Sequence, residues 1–314
     1  MPSEQTGQPA VLADMNLRTL PSLPHWLLPF PRLRIRLTYL WRHGRLPDLA
    51  HPTRFTELVQ RRKLLDHDPR MGQLVNKVTA KAAASRMLGD DWIIPTIWTG
   101  DRLPREPEWA FPFILKASHG CNQNAVCHDM ADYRRVFERA SRWTRKPYGL
   151  WLDEWAYRDV PRGFIVEPYL GDRTTRPIDY KIYVFGGKAT FVQVHLDRSG
   201  NHRWILFDRH WDQISMHREA PAPPPANLDR MLANAERIAG PFDFARVDFY
   251  EIDAKPKFGE VTFYPGSGLD RFDPPELDLM IGGHWLRAIG RGAPTIAMPP
   301  AQARAPERLA VADG

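Results

Sequence analysis

The sequence is poor in long apolar runs and in cysteine, and both shortages exclude classes of protein. Its 314 residues contain no apolar run of the roughly 18 residues that a membrane-spanning helix needs. Two cysteines, Cys121 and Cys127, are too few for a disulfide framework and suit a reducing compartment. The N-terminus also lacks the basic and then apolar order of a signal peptide. We therefore expect a cytoplasmic protein.

Several familiar site patterns are also absent. There is no G-x-x-x-x-G-K-[ST] loop, no G-x-G-x-x-G fingerprint and no pattern typical of a Ser-His-Asp triad. The histidines and cysteines between 119 and 128 have a spacing that fits no standard zinc site. Arginines and aromatic residues are scattered over many segments, so we expect no nucleic-acid partner.

The composition favours a globular protein with a polyanionic ligand. Hydrophobic residues make up 43% of the chain, which is enough for the core of one large or two moderate domains. The formal net charge of +6 suits a nucleotide, an acidic polysaccharide or an anionic membrane surface, without choosing among them.

Residues 20–47 combine aliphatic and aromatic residues with five arginines. Such a mixture is typical of a segment that lies on an anionic membrane surface. The alternative is a helix that packs its apolar side on the main domain and leaves its arginines in water. We expect residues 1–20 and 291–314 to be disordered.

The order of the patterns favours an α+β protein with mixed or antiparallel sheets. Helical spacing runs through 52–69, and 71–91 indicates a second helix that ends at Gly89. The stretch 92–100 indicates a short buried strand, and 111–120 a strand that runs into a loop. Residues 179–198 indicate a hairpin turning at Gly186 and Gly187, and 228–240 a helix.

The stretch 243–268 is the most informative. Two runs rich in Val, Phe and Tyr flank a turn centred near Ala254 and Lys255, which places Asp248 almost opposite Glu260. Facing carboxylates repel unless a cation lies between them or one is protonated. Oxygen ligands suit a hard ion such as Mg²⁺. The alternative is an exposed hairpin with two solvated acids.

Further charged residues occur at the ends or on the faces of predicted strands. Lys116 ends an apolar strand before a polar loop, where it can hold a phosphate. Lys77 is a second candidate for binding a phosphate. Glu167 follows a buried strand and can accept from a ribose hydroxyl. Asp179 and Lys181 share one strand face, which suggests a cleft. For each, an ordinary surface or strand-end residue is the alternative.

Taken in order, these phrases resemble the ATP-grasp superfamily, and more closely its TupA-like branch of teichuronopeptide biosynthesis. The similar phrases cover roughly residues 50–285 and are PTRFTELVQRRKLLDHDP, NK, FILKASHG, FIVEPYLGD, DYKIYVFGGK, RVDFY and GEVTFYPGSG. The resemblance implies an ATP-grasp fold with a small lid domain over a larger C-terminal sheet domain. The implied divisions are an N-terminal basic aromatic segment at 1–50, a helical part at 51–110, a nucleotide-binding lid at 111–170, a metal and phosphate subdomain at 171–290, and a tail at 291–314.

The resemblance also implies roles for particular residues. Those expected to bind ATP are Lys77, Lys116, Ser118, His119, Gly120, Glu167, Tyr169 and Asp179. Those expected to act on the transferred phosphate are Lys181 and Arg246. Those expected to bind Mg²⁺ are Asp248, Glu260 and Thr262. Position 262 departs from the many superfamily members that have Asn there, and the phosphate loop contains a single glycine, Gly120.

The implied function is an ATP- and Mg²⁺-dependent carboxylate–amine ligase that works through an acyl phosphate. Its expected substrate is a cell-surface polysaccharide or its precursor, in which an amino acid is joined to a uronic acid. From the basic aromatic segment 20–47 we expect peripheral contact with the inner membrane face. Thr262 and the glycine-poor loop leave open a nucleotide- or glycan-binding protein without turnover. A kinase or sugar transferase of capsule biosynthesis is the third interpretation.

Overall fold

The computed structural model describes residues 30–171, 177–197, 203–215 and 223–292. In these residues the helices are α1 (Pro31–His43), α2 (Phe55–Leu65), α3 (Pro69–Val75), α4 (Lys77–Leu88), α5 (Met130–Ala140), α6 (Leu228–Ala239) and α7 (Glu276–Ala288). The predicted disorder at 1–20 and from 293 onward lies outside the described residues. No helix among the described residues is long and apolar enough to cross a membrane.

The strands form two antiparallel sheets, which confirms the α+β prediction. A four-stranded sheet has the order β1-β4-β2-β3, and a five-stranded sheet has the order β7-β6-β5-β8-β9. The strands are β1 (Trp98–Gly100), β2 (Phe113–Ala117), β3 (Asn124–Cys127), β4 (Phe164–Pro168), β5 (Asp179–Phe185), β6 (Lys188–Asp197), β7 (Arg203–Asp208), β8 (Phe244–Ile252) and β9 (Lys255–Thr262).

Each sheet buries its own apolar side. The larger core lies on the five-stranded sheet, where Phe55 of α2 packs against Phe244 of β8 and Trp285 of α7. The smaller core lies under the four-stranded sheet, where Phe113 and the α5 residue Tyr133 meet edge to face.

The prediction of one helix over 71–91 is wrong, because the structure has two helices there, although the predicted end at Gly89 is confirmed. Asn76 has an extended backbone, and its Oδ1 accepts hydrogen bonds from the Val78 and Thr79 amides at 2.9 and 3.3 Å. Asparagine at this position satisfies amides that have no partner inside the helix, so it starts a new helix. Lys77 is therefore the first residue of α4.

The predicted buried strand at 92–100 is also corrected. The structure has a 3₁₀ turn at Asp90–Trp92 and then only the three-residue strand β1, which is half-buried to exposed. Pro95 supplies no amide hydrogen to a sheet, and a strand can continue past it only at an edge.

The hairpin of β8 and β9 places Asp248 directly opposite Glu260, as predicted. Its turn lies at Asp253 and Ala254, both with positive φ, one residue earlier than expected. A bulge at Gly259 compensates for this shift, because Phe249 pairs with Phe258 and Asp248 with Glu260. A Cβ at Gly259 would lie 3.0 Å from the Asp248 carbonyl oxygen, so a glycine suits the bulge.

Candidate nucleotide and metal site

Three acids and two cations form the centre of the candidate site on the five-stranded sheet. Lys181 Nζ lies 2.6 Å from Asp179 Oδ2 and 2.6 Å from Asp248 Oδ2. Arg246 donates to both oxygens of Asp248, at 2.7 and 2.8 Å. Its Nη2 also lies 3.8 Å from Glu260 Oε1. The structure thus brings together the residues expected at the phosphate and the metal.

Neighbouring cations keep the half-buried Glu260 ionised. Burial raises the pKa of Glu260, and the Lys77 ammonium group has the largest opposing effect. Lys181 and Arg246 add to that effect, and the net pKa is lowered. These three cations therefore hold the Glu260 carboxylate in its charged form.

Thr262 completes a set of oxygen donors. It follows Glu260 by two residues on β9, and such residues share a strand face. Among the described residues its buried Oγ1 has no hydrogen-bond partner, although buried hydroxyl groups are usually bonded. Two carboxylates and an unbonded hydroxyl fit a hard cation such as Mg²⁺. No group of three or more His, Cys, Asp or Glu residues that could hold a metal occurs in the described part of the chain.

Lys77 connects the two sheets. Its Nζ lies 3.5 Å from Glu260 Oε2 and donates to the Gly120 carbonyl at 2.7 Å. Its backbone amide donates to the Ser118 carbonyl at 2.8 Å. Burial lowers the pKa of Lys77, but the Glu260 carboxylate, with smaller contributions from Cys121 and Glu167, outweighs it and the net pKa is raised. The start of α4 therefore holds the loop after β2 beside the facing acids.

A second charged cluster surrounds Glu167 on β4. Its two carboxylate oxygens accept from Lys81 Nζ and Lys116 Nζ, each at 2.6 Å. Lys81 Nζ also donates to Thr96 Oγ1 at 2.8 Å. Burial raises the pKa of Glu167, yet the lysines outweigh it and the net pKa is lowered. Lys81 was not predicted, although its position four residues after Lys77 places it on the same face of a helix.

Two predicted nucleotide-binding residues make other contacts. The ring nitrogens of buried His119 lie 3.2 Å from the Trp143 carbonyl oxygen and 3.4 Å from that of Gly163. These contacts fix the loop but do not bring the imidazole to the acids. The ring of Tyr169, two residues beyond Glu167, meets the His128 ring edge to face. Its role in nucleotide binding stays a prediction.

The sequence matches the model of the TupA-like ATP-grasp family over residues 57–286, which is more than half of the chain. The chain belongs to this ATP-grasp family. Its fold is therefore the ATP-grasp fold. All the site residues that the resemblance predicts lie inside the matched range.

Solved structures similar to this ATP-grasp chain include several ligases. An L-amino acid ligase from Bacillus licheniformis is 12% identical with a TM-score of 0.43, and the match covers 69% of this chain and 50% of that one. D-alanine–D-alanine ligase from Bacillus anthracis is 14% identical with a TM-score of 0.40, covering 69% and 65%. Biotin carboxylase from Campylobacter jejuni is 17% identical with a TM-score of 0.45, covering 72% and 48%. The chain thus spans about half to two thirds of these proteins. Comparison with curated protein sequences gives no match.

The two charged clusters of the ATP-grasp chain lie one helical turn apart. Lys77 contacts the Glu260 cluster and Lys81 the Glu167 cluster, and four helical residues span about 6 Å. Cations outnumber acids by one across both clusters. The cations are Lys77, Lys81, Lys116, Lys181 and Arg246, and the acids are Glu167, Asp179, Asp248 and Glu260. An arrangement with this charge, spread over two sheets, can accept a polyphosphate along its length.

Proposed function

We propose that the protein is an ATP-dependent carboxylate–amine ligase. The observation that supports this best is the convergence of Lys77, Lys181 and Arg246 on the facing acids Asp248 and Glu260. Family membership supports the nucleotide, and the charged face supplies the electrostatic environment for a triphosphate and a second anion.

The proposed reaction has two steps. A carboxylate oxygen of the acceptor attacks the γ-phosphorus of ATP, the bond from that phosphorus to the β,γ-bridging oxygen breaks, and ADP leaves with an acyl phosphate remaining. An amine nitrogen then attacks the acyl carbon, the carbon–oxygen bond to phosphate breaks, and the amide forms with loss of a proton from nitrogen. Positioning and charge stabilisation are the work of the protein in both steps.

Each charged residue has a part in this scheme. Lys77 and the backbone of the loop at 118–120 hold the β- and γ-phosphates, and Lys181 and Arg246 offset the charge that accumulates on the transferred phosphoryl group. Glu167, with Lys81 and Lys116, binds at the nucleoside side. Asp248, Glu260 and Thr262 would hold Mg²⁺, which neutralises phosphate charge when bound.

Turnover can be tested with two neutral isosteres and a control from the same hairpin. We expect Asp248→Asn and Glu260→Gln each to reduce ADP release by at least ~10²-fold, since single charge-stabilising groups contribute that much. Asp253→Asn removes a carboxylate from the exposed turn of the same hairpin, where Asn also tolerates the positive φ, and should leave turnover unchanged. Unchanged turnover in both site variants would remove the metal and phosphate roles.

Product analysis separates the alternatives. The cation contacts to both oxygens of Asp248 are also what a nucleotide-binding protein without turnover would have. Calorimetric ATP binding without ADP formation over a panel of acids and amines would favour that interpretation. A phosphorylated sugar without an amide would instead indicate a kinase of capsule biosynthesis.

We propose a cell-surface polysaccharide or its precursor as the acceptor, met at the inner face of the membrane. Helix α1 carries the feature that supports this location. Ile35 and Tyr39 face the protein core, and buried Arg34 donates to Asp153 at 2.9 Å. The opposite side exposes an apolar stripe next to two exposed arginines, and its residues are Leu33, Leu37, Leu40 and Trp41 with Arg32 and Arg36. Such a face suits an anionic lipid surface.

Vesicle co-sedimentation tests this contact. The full chain should bind vesicles that contain phosphatidylglycerol more strongly than vesicles of phosphatidylcholine alone, and less at high salt. Leu37→Gln with Leu40→Gln should abolish binding, whereas Arg135→Gln, at an exposed arginine on α5, should not change it. No binding at low salt, or a change only in oligomeric state in the leucine variant, would contradict a membrane contact.

A further inference from the structure

The segment between α5 and β4, residues 141–163, packs along the loop between β2 and β3. We call this segment the connector and residues 118–123 the phosphate loop, because the proposed function assigns its backbone to the phosphates of ATP. Three consecutive residues of the phosphate loop, 119–121, each contact the connector. One segment therefore contacts the loop at several points along its length.

His119 joins the phosphate loop to both ends of the connector. Its Nε2 lies 3.2 Å from the Trp143 carbonyl oxygen, and its Nδ1 lies 3.4 Å from the Gly163 amide nitrogen. Burial lowers the pKa of His119, so the ring is neutral at neutral pH and can donate at Nε2 while it accepts at Nδ1. The Ser118 amide also donates to the Gly163 carbonyl, at 2.9 Å. These bonds fix the first residues of the loop.

Tyr148 of the connector packs directly on Gly120, the single glycine of the phosphate loop. A Cβ at Gly120 would lie 2.7 Å from two carbon atoms of the Tyr148 ring, which is closer than real Cβ atoms come. Gly120 is not among the glycines with a positive φ, so its backbone conformation does not require glycine. Glycine is needed here because a ring packs against its backbone. That close contact restrains the loop.

A second tyrosine, Tyr157, extends these contacts to the larger core. Its hydroxyl lies 3.0 Å from Cys121 Sγ, and its ring meets the Tyr148 ring edge to face with the centroids 4.8 Å apart. Tyr157 is almost fully buried in the core on the five-stranded sheet, and the neighbouring Ala156 amide donates to the Tyr264 hydroxyl at 3.3 Å. The connector therefore joins the phosphate loop to the sheet that carries the facing acids.

We propose that Tyr148 and Tyr157 are positioning residues for ATP, because they hold the phosphate loop in the arrangement that meets the triphosphate. Lys77 bonds to the same loop through the Gly120 carbonyl and to Glu260 on the other sheet. A loop that is ordered before binding loses less conformational entropy when a phosphate binds to it. The proposal rests on the proposed function for ATP binding at this loop, and it adds two residues that lie outside the loop.

Calorimetric ATP binding to a double-mutant cycle is the direct test. Gly120→Ala and Tyr148→Ala should each weaken ATP binding at least ~10-fold, because ordering even one loop residue on binding costs that much. The double variant should bind no more weakly than Tyr148→Ala, since the new Cβ enters space that the ring has left. Phe137→Ala removes a half-buried ring from α5 and should bind ATP normally. Losses that multiply to about 100-fold, or unchanged affinity in Tyr148→Ala, would overturn the proposal.

Thiol labelling with N-ethylmaleimide, followed by peptide mass spectrometry, tests the contact without nucleotide. Burial raises the pKa of the half-buried Cys121 thiol to about 11, so little reactive thiolate forms at neutral pH. Tyr148→Ala should speed labelling of Cys121 at least ~10-fold, because each unit by which exposure lowers the pKa gives ten times more thiolate. Cys127 is buried in the smaller core and reports global unfolding, so its labelling should not change.

The two measurements distinguish this proposal from the proposed function. Absence of ATP binding in the unaltered protein would overturn the ligase, and the labelling of Cys121 would then decide whether Tyr148 holds the loop. ATP binding that is equal in the unaltered protein and in Tyr148→Ala would overturn the positioning role and leave the ligase. Equal labelling of Cys121 in these two proteins would overturn the restraint of the loop by the connector.

Discussion

Replacing Lys181 by methionine tests whether the site depends on its central cation. Lys181 Nζ lies 2.6 Å from both Asp179 Oδ2 and Asp248 Oδ2, and all three side chains are almost fully buried. Methionine keeps the length and apolar character of the lysine stem but removes the charge. The variant therefore changes electrostatics more than packing.

The expected cost follows from these distances. At an effective dielectric constant of about 20, two unit charges 2.6 Å apart attract by roughly 6 kcal/mol. Desolvation of each buried ion offsets several kcal/mol of this attraction. Removing one partner of a buried ion pair costs about 3–5 kcal/mol, because the remaining acids stay in a dry environment with less compensating charge. Arg246 still contacts Asp248, so we expect the loss to come mainly from Asp179.

Urea unfolding at neutral pH, followed by circular dichroism, measures this cost. Lys188→Met is the matched control, because Lys188 is an exposed lysine at the start of β6, and a surface change of this kind stays within about 0.5 kcal/mol. Adding Asp179→Asn to the Lys181 variant should restore part of the stability, since it removes one buried acid. The reasoning is refuted if Lys181→Met is as stable as the control, or if Asp179→Asn destabilises it further.

Three further predictions concern the same region. Asn76→Ala should cost about 1 kcal/mol of unfolding free energy through loss of the α4 cap, while Asn76→Ser keeps a capping oxygen and most of the stability; equal losses would argue against the cap. Lys77→Met and Lys81→Met should each weaken calorimetric ATP binding at least ~10-fold, with Lys188→Met unchanged, and equal affinities would contradict their roles. Burial raises the pKa of Glu154 from its ordinary 4.5 to about 7. Folded Glu154 then keeps a proton that the unfolded chain releases, so stability should fall as pH rises between those values, and Glu154→Gln should flatten that slope.

The pairing of Asp248 with Glu260 could be predicted because the alternating pattern of the two strands and the turn residues lie close together in the sequence. The two runs of β-branched and aromatic residues fixed the strands, and the intervening turn fixed their pairing to within one residue. The exact turn and the bulge at Gly259 could not be predicted, since each depends on how the rest of the sheet twists around the hairpin. The earlier turn and the bulge shift the strand pairing in opposite directions, so Asp248 still pairs with Glu260.

The break at Asn76 shows what periodicity alone leaves out. Residues 71–91 are good helix formers on both sides of Asn76, so the apolar spacing continues through it. The capping preference of asparagine was the available signal. In a continuous helix Lys77 would have been a mid-helix residue. The cap instead places it at the start of a helix, where its backbone amide donates to the Ser118 carbonyl.

The second cluster could not be read from the sequence because its partners are distant in the chain. Lys116 and Glu167 are 51 residues apart, and they meet only because β2 and β4 pair. Strand order within a sheet depends on tertiary packing, which no local pattern encodes. Charged strand residues could be singled out, but which acid each lysine contacts required the fold.

Helix α4 links recognition of the nucleotide to the position of the acids. Lys77 bonds to the four-stranded sheet through its amide and the Gly120 carbonyl, and to the five-stranded sheet through Glu260. A phosphate that draws the Lys77 ammonium from Glu260 would free that carboxylate for a cation at the same moment, because one group serves both contacts. Nucleotide and metal binding should therefore each strengthen the other, and this coupling should disappear in Lys77→Met while it persists in Lys188→Met.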